Sequence, residues 1–204
     1  KKKKTHDGGT AIGGAKLTWH GNNNDNTIRK QTSLYYGPKY NENHLRQTLL
    51  SVEDKFNTYE GNPKSVAELL NENNIVAMYQ GSSEAGPRAL GNRSILYNPT
   101  DPNGKDFVNK VKGREWFRPF AGTVLEENAN EWFDFANMEG SPFMMYAVDV
   151  LPEKQDQIKA ITHVDGTCRI QTVNELQNKN YYNLINEFKK LTGVPILFNT
   201  SFNL

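Results

Sequence analysis

Apolar positions in this chain come in short blocks of two kinds, helically spaced and continuous, separated by polar loops rich in glycine, proline and asparagine. Val66, Leu69 and Leu70 share one helical face behind Asn62-Pro63. An N-cap residue followed by a first-turn proline predicts a short amphipathic helix there. Phe107, Val108 and Val111 repeat that spacing within 106–116, which ends before Pro119. Leu184, Ile185, Phe188 and Leu191 do so within 180–191, closed by Thr192-Gly193. A weaker helical pattern covers 44–55, and 126–135 reads as an acid-capped helix. Residues 75–79 are too few and too apolar for a surface helix and read as a buried strand. Further strands are predicted at 94–97, 120–125, 143–151 and 194–198. Within 160–173 a partial alternation surrounds Asp165-Gly166, a dipeptide suited to a tight turn between two strands. Helices and strands alternate, so the expected fold is α/β or α+β on a mixed sheet.

Residues 1–33 break the pattern. Gly8-Gly9, Gly13-Gly14 and the asparagine-rich stretch 21–26 predict an irregular lead-in, with a linker over 21–33 and the folded domain over 34–204. The glycine pairs are not a dinucleotide fingerprint, because the spacing is wrong and no strand precedes them. With 204 residues and 36% hydrophobic side chains, the chain can bury one ordinary core. No run nears the roughly 20 apolar residues of a membrane helix, and polar sequence follows Lys1–Lys4 where a secretory signal would be apolar. The expected setting is the cytoplasm, without a membrane partner. The one cysteine, Cys168, excludes a disulfide framework and a cysteine-rich zinc site, and reads as a small buried hydrophobe. Trp19, Trp116 and Trp132 read as packing residues. A net charge of +1 hides segregation: 86–120 carries seven Lys/Arg against three acids, and 121–160 carries two against eight. This fits a local basic site and disfavours a nucleic-acid track.

The chemistry-bearing side chains gather at junctions between apolar blocks, in four stretches. These are EAGPRALGNRS at 84–94, KGRE and RPF at 112–115 and 118–120, THVDGT with Arg169 and Gln171 at 162–171, and NTSFN at 199–203. Loops at strand ends are where open α/β sheets carry ligands. A guanidinium binds phosphate oxygens through two parallel N–H bonds, and several together can hold a polyphosphate without a Walker-type loop. Arg88, Arg93, Arg114, Arg118 and Arg169 are candidates for that role, with Lys112 as an added point charge. Taken singly, each arginine reads more simply as a surface ion pair with Glu84, Glu115 or the acids after 121; taken as a set, they point to an anion. His163 and Asp165, two apart on a strand, would share a face. They suit an acid–base pair or a metal-bound phosphate, against a plain structural role before a turn. Asn199, Thr200, Ser201 and Asn203 suit either a turn cap or contacts to adenine, ribose or phosphate.

Five blocks in one order carry a resemblance: EAGPRALGNRSIL, VNKVKGREWFRPFAGTVL, SPFMM, THVDGTCRIQTV and TGVPILFNTSFN. Together they resemble the C-terminal part of the carbamoyltransferase family that includes nodulation and antibiotic-tailoring enzymes, strongly from about Val66 to Leu204. The resemblance implies a YrdC/Sua5-like open twisted mixed sheet with flanking helices and a concave basic surface. It implies activation of carbamoyl phosphate by ATP to carbamoyl-adenylate, with Mg2+ on the nucleotide, and transfer of the carbamoyl group to a hydroxyl-bearing small molecule by a Kae1-like half. On that basis Arg88, Arg93, Lys112, Arg114, Arg118 and Arg169 hold phosphates, with Arg114, Arg118, His163 and Asp165 at the reacting group. Asn199, Thr200, Ser201 and Asn203 then sit at the nucleotide. The segment HDGGTAIG at 6–13 resembles the last motif of the Kae1-like half, where Asp7 would be a ligand of a divalent metal such as iron. The histidine ligands of that site are absent here, and family members continue past Leu204, so the expectation is a fragment of a longer enzyme. A homodimer fits the same reading. The competing expectation is a non-catalytic module that binds nucleotide or nucleic acid, or serves assembly, through the same basic surface.

Overall fold

The computed structural model describes residues 7–24, 27 and 32–202. Among these residues, seven strands form one open sheet: β1 (Val76–Tyr79), β2 (Arg93–Tyr97), β3 (Ala121–Leu125), β4 (Phe133–Asp134), β5 (Tyr146–Val150), β6 (Thr167–Val173) and β7 (Ile196–Ser201). Their order is β1-β2-β7-β3-β6-β5-β4, with β3 and β6 parallel and the other neighbours antiparallel. This is the expected mixed α/β architecture. The last strand is inserted at the centre, between β2 and β3.

Among the described residues, five helices accompany the sheet: α1 (Asp7–Asn23), α2 (Glu42–Leu50), α3 (Pro63–Asn71), α4 (Gly104–Val111) and α5 (Lys179–Thr192). The start of α3 is a reciprocal capping box, in which Asn62 Oδ1 accepts from the Ser65 N–H and Ser65 Oγ accepts from the Asn62 N–H, each at 3.0 Å. The α5 helix buries Tyr181, Leu184, Ile185 and Phe188, one continuous face at helical spacing, and packs on α3, β3 and β7. Each such side chain contributes roughly 1.5–3 kcal/mol relative to exposure. On the opposite face of the sheet, α4 buries Val108 and sets the Phe107 ring 5.5 Å from Tyr97. Tyr97 meets Phe198, and Phe198 meets Phe120 with ring centroids 4.5 Å apart.

Several expectations need correction. The lead-in is not wholly irregular: Asp7–Asn23 is helical despite five glycines, each of which costs about 1 kcal/mol against alanine and hid the helix from a propensity argument. Leu17 and Trp19 on this helix are exposed, and so is Trp116; of the three tryptophans only Trp132 packs in the core. The expected helix at 126–135 is a 3-10 segment, Glu126–Glu131, followed by the two-residue strand β4. The expected long strand at 143–151 begins only at Tyr146, because 141–144 forms a turn with the Ser141 carbonyl accepting from the Met144 N–H at 3.2 Å. The β1 strand is an edge with alternate exposure and not a fully buried one. Cys168 is buried as expected, and burial pushes its thiol pKa up to about 12. No helix among the described residues is long and apolar enough to cross a membrane.

Candidate functional site

Because β7 runs antiparallel to β3, its C-terminal end meets the start of β3 and, one strand further, the start of β6. Ala121 is paired with Asn199 on one side and with Arg169 on the other. Paired residues share a face, so the small Ala121 leaves open space between two polar side chains. A hollow of about 510 Å3 opens there. Three further pieces of chain complete it: Pro87, Arg88 and Ala89; 112–115 with Arg118 and Pro119; and Met144. Arg88, Lys112, Arg114, Arg118, Arg169, Asn199, Thr200 and Ser201 all line it, so eight of the residues singled out by sequence are brought together.

The loop carrying Arg88 is held rigidly. Glu84 Oε1 accepts from the backbone N–H groups of Leu90 at 2.8 Å, Asn92 at 2.9 Å and Arg93 at 3.2 Å. The carbonyl of Ala89 accepts from Asn199 Nδ2, that of Leu90 from Tyr35 and Gln171, and that of Gly91 from Gln80. Below the hollow, Thr123 donates to Gln171 Oε1 at 3.0 Å and accepts from Asn199 Nδ2 at 3.0 Å. Such a buried network fixes its members in one arrangement. Sequence reasoning takes Glu84 for an ion-pair partner and leaves Thr123 out; both, with Gln171, support the hollow. The signal available was a set of polar residues inside apolar strands, at 123, 171 and 199.

Five cations face one lining carboxylate, Glu115, which is paired with Arg118 at 2.7 Å. Lys112 reaches the hollow from the end of α4, its Nζ donating to the Ser201 carbonyl at 2.6 Å, and Gly113, with φ +59°, then turns the chain toward Arg114. The Arg114 guanidinium lies 4.7 Å from the Phe120 ring centroid. Burial, then the neighbouring Arg88 and Arg114, pull the Arg169 pKa down to about 10. Burial and Arg118 lower that of Arg114, and burial and Arg114 lower that of Lys112. The Nε atoms of Arg88 and Arg169 are buried without a partner among the described residues. Like charges pressed together with donors unused form a site shaped for an anion.

Other sequence candidates lie elsewhere. Arg93 points away from the hollow, donating to the carbonyls of Gln80, Asn92, Pro38 and Gly81 while its guanidinium stacks 3.7 Å above the Tyr79 ring. His163 and Asp165 are not on a strand: they belong to the turn before β6, where the His163 N–H donates to the Thr167 carbonyl at 2.7 Å. Both ring nitrogens of His163 are engaged, Nε2 with the Phe120 carbonyl at 2.9 Å and Nδ1 with Thr167 Oγ1 at 3.1 Å. Asp165 is exposed and accepts from Thr167, bonds that hold its carboxyl below the usual range. Asn199, Thr200 and Ser201 lie within β7 and not in a cap after it. Asn203 and the side chain of Asp7 lie outside the described residues. No cluster of three His, Cys, Asp or Glu able to hold a metal occurs among the described residues. A second hollow, of about 580 Å3, lies across the 141–145 segment, lined by apolar side chains such as Phe143, Met145 and Tyr146 and by polar ones including Glu126, Glu139 and Asn174. It lacks the converging cations.

Comparison with known proteins agrees with the motif pattern. Residues 67–204 match the family model for the carbamoyltransferase C-terminus. The nodulation protein NolNO of Sinorhizobium fredii is 40% identical over 209 residues, covering 97% of this chain and 30% of that protein. The nodulation protein NolO of Bradyrhizobium diazoefficiens is 39% identical over 97% of this chain and 37% of its own length. Nodulation protein U of Rhizobium tropici is 37% identical over 98% of this chain and 33% of its length. The chain spans about a third of the length of these curated relatives. With the matched region running through every loop that builds the cationic hollow, this chain belongs to the carbamoyltransferase family, within its C-terminal region.

Proposed function

We propose that this chain forms the donor-activating part of an ATP-dependent O-carbamoyltransferase. The observation that carries this reading is the crowding of Arg88, Lys112, Arg114, Arg118 and Arg169 around one hollow against a single paired carboxylate. Carbamoyl phosphate and the triphosphate of ATP are anions that such a set neutralises, and Mg2+ carried on the nucleotide would share that work. Activation to carbamoyl-adenylate balances when carbamoyl phosphate, ATP and one water give carbamoyl-adenylate, phosphate and pyrophosphate. A hydroxyl-bearing small molecule then accepts the carbamoyl group.

In this reading Arg88 and Arg169, whose Nε–H groups are unused, grip phosphate oxygens, and Arg114 and Lys112 add their charges beside them. Thr200 and Ser201 supply hydroxyls beside them. His163 acts as a positioning residue: it fixes the Phe120 carbonyl, and Phe120 carries Arg114 on its ring. Catalysis is then mostly placement and charge neutralisation. The test is carbamoyl-phosphate-dependent exchange of labelled pyrophosphate into ATP. Wild-type exchange that drops by about 100-fold or more in Arg114→Ala is expected. No exchange, or an Arg114→Ala chain that matches wild type, would overturn the assignment.

A further inference from the structure

The hollow is rich in hydrogen-bond donors and poor in acceptors. Its five cationic side chains only donate. Two of its acceptors are already used, since Glu115 pairs with Arg118 and the Ser201 carbonyl takes Lys112. Asn199 differs. Its side chain is 1% exposed, and Nδ2 donates to the Ala89 carbonyl at 3.1 Å and to Thr123 Oγ1 at 3.0 Å. Its Oδ1 has no partner among the described residues.

Chemistry fixes which way this amide faces. A backbone carbonyl can only accept, so the amide must turn its NH2 to Ala89; flipped, it would set two acceptors against each other. Buried side-chain oxygens without a partner among the described residues also occur on Asn109, Ser141 and Tyr181, but of these four residues only Asn199 lines the hollow. A buried acceptor left unpaired costs its desolvation, so the position makes sense when a ligand donates to it. The phosphate end of the donor is all acceptor, as is its carbonyl. Within carbamoyl phosphate, the amino group alone brings N–H bonds.

We propose that Asn199 Oδ1 reads the carbamoyl amino group, so that the hollow selects carbamoyl phosphate over acyl phosphates of the same shape. This rests on the hollow being the carbamoyl phosphate site. Acetyl phosphate is the matched probe, because a methyl group replaces the amino group and little else changes. A site built around a substrate N–H rejects the analogue that lacks it, since its own polar atom is then left unpaired.

The experiment measures binding of inorganic phosphate, acetyl phosphate and carbamoyl phosphate to the chain by competition calorimetry. Carbamoyl phosphate is expected to bind roughly 10- to 100-fold more tightly than acetyl phosphate. In Asn199→Leu, which removes the acceptor together with the bonds to Ala89 and Thr123, the ratio of the two acyl phosphate affinities should shrink to within about 3-fold, whatever the absolute affinity for phosphate. The wild-type comparison stands even where the variant fails to fold. Equal wild-type affinity for the two acyl donors, with phosphate bound, overturns the proposal alone and means that a neighbour such as the Tyr181 hydroxyl satisfies Oδ1. Retention of the preference in folded Asn199→Leu overturns it as well. Failure of all three anions to bind instead removes the anion-site reading on which the proposal rests, and the proposal with it.

Discussion

Arg169 and Arg93 show how differently two arginines of similar sequence setting can be used. Arg169 keeps its charge half-buried beside Arg88 and Arg114, which holds its pKa near 10, below the ordinary 12.5. A base with a lowered folded-state pKa costs stability wherever it stays charged, and that cost fades only as pH rises from about 10 toward 12.5. At neutral pH, Arg169→Met should therefore raise stability in anion-free buffer by on the order of 1 kcal/mol, about 2–4 °C in Tm, while weakening sulfate binding. Thermal melts with and without sulfate check both halves, and a less stable variant would contradict the account. Arg93 is the reverse case. Its guanidinium spans four carbonyls and the Tyr79 ring, so Arg93→Ala should lose roughly 1.5–3 kcal/mol by chemical denaturation yet still bind sulfate. Sequence showed that both were chemistry-bearing arginines and could not separate them. Arg88 and Arg93 are five positions apart in one motif, and which one enters the hollow is decided by a backbone turn that charge and spacing do not encode.

At the scale of elements, that turn is built around Gly91. Its φ of +100° suits glycine, and a Cβ there would sit 2.2 Å from Tyr181 Cδ1, at the start of α5. The tip of the arginine loop is therefore pressed onto the helix. Gly91→Ala must move either the loop or the buried Tyr181, and a loss of about 3 kcal/mol or more is expected, with sulfate affinity falling because Arg88 shifts. An urea melt near wild type would show that the loop yields freely and is not the rigid support described above. The elements themselves were legible where caps and period agreed. Asn62-Pro63 marked α3 correctly, and Leu184, Ile185 and Phe188 marked α5. They were illegible where a local signal misled: acids at Glu126 and Glu127 suggested an α-helical start, yet the chain makes a 3-10 turn there before pairing Phe133 with Val150. Likewise, the alternation around Asp165-Gly166 implied two strands, while the structure has a turn braced by His163 and Asp165 with a strand on one side only.

For the whole molecule, the strand order explains why the site could be recognised by motif and not by periodicity. No local pattern places the last strand between β2 and β3, yet that insertion alone sets Asn199–Ser201 against Arg88, Arg114 and Arg169. What the resulting assembly must show is a collective electrostatic response. Sulfate is a suitable probe, since its charge is constant across the alkaline range. At a concentration 100 times its Kd it should stabilise the chain by about 2.7 kcal/mol. Its affinity should fall as pH rises through about 10, where Arg169 loses its proton, and Lys112, whose pKa burial and Arg114 also lower, acts in the same direction. The sign follows from linkage: an anion binds the protonated form, so raising pH through the folded-state pKa withdraws the form that binds. Titrations at constant ionic strength in wild type and in Arg169→Met separate this from general surface charge, which changes equally in both. A fall above pH 10 that is equally steep in wild type and in Arg169→Met would place the sulfate on exposed lysines, which titrate in the same range, and not in the hollow.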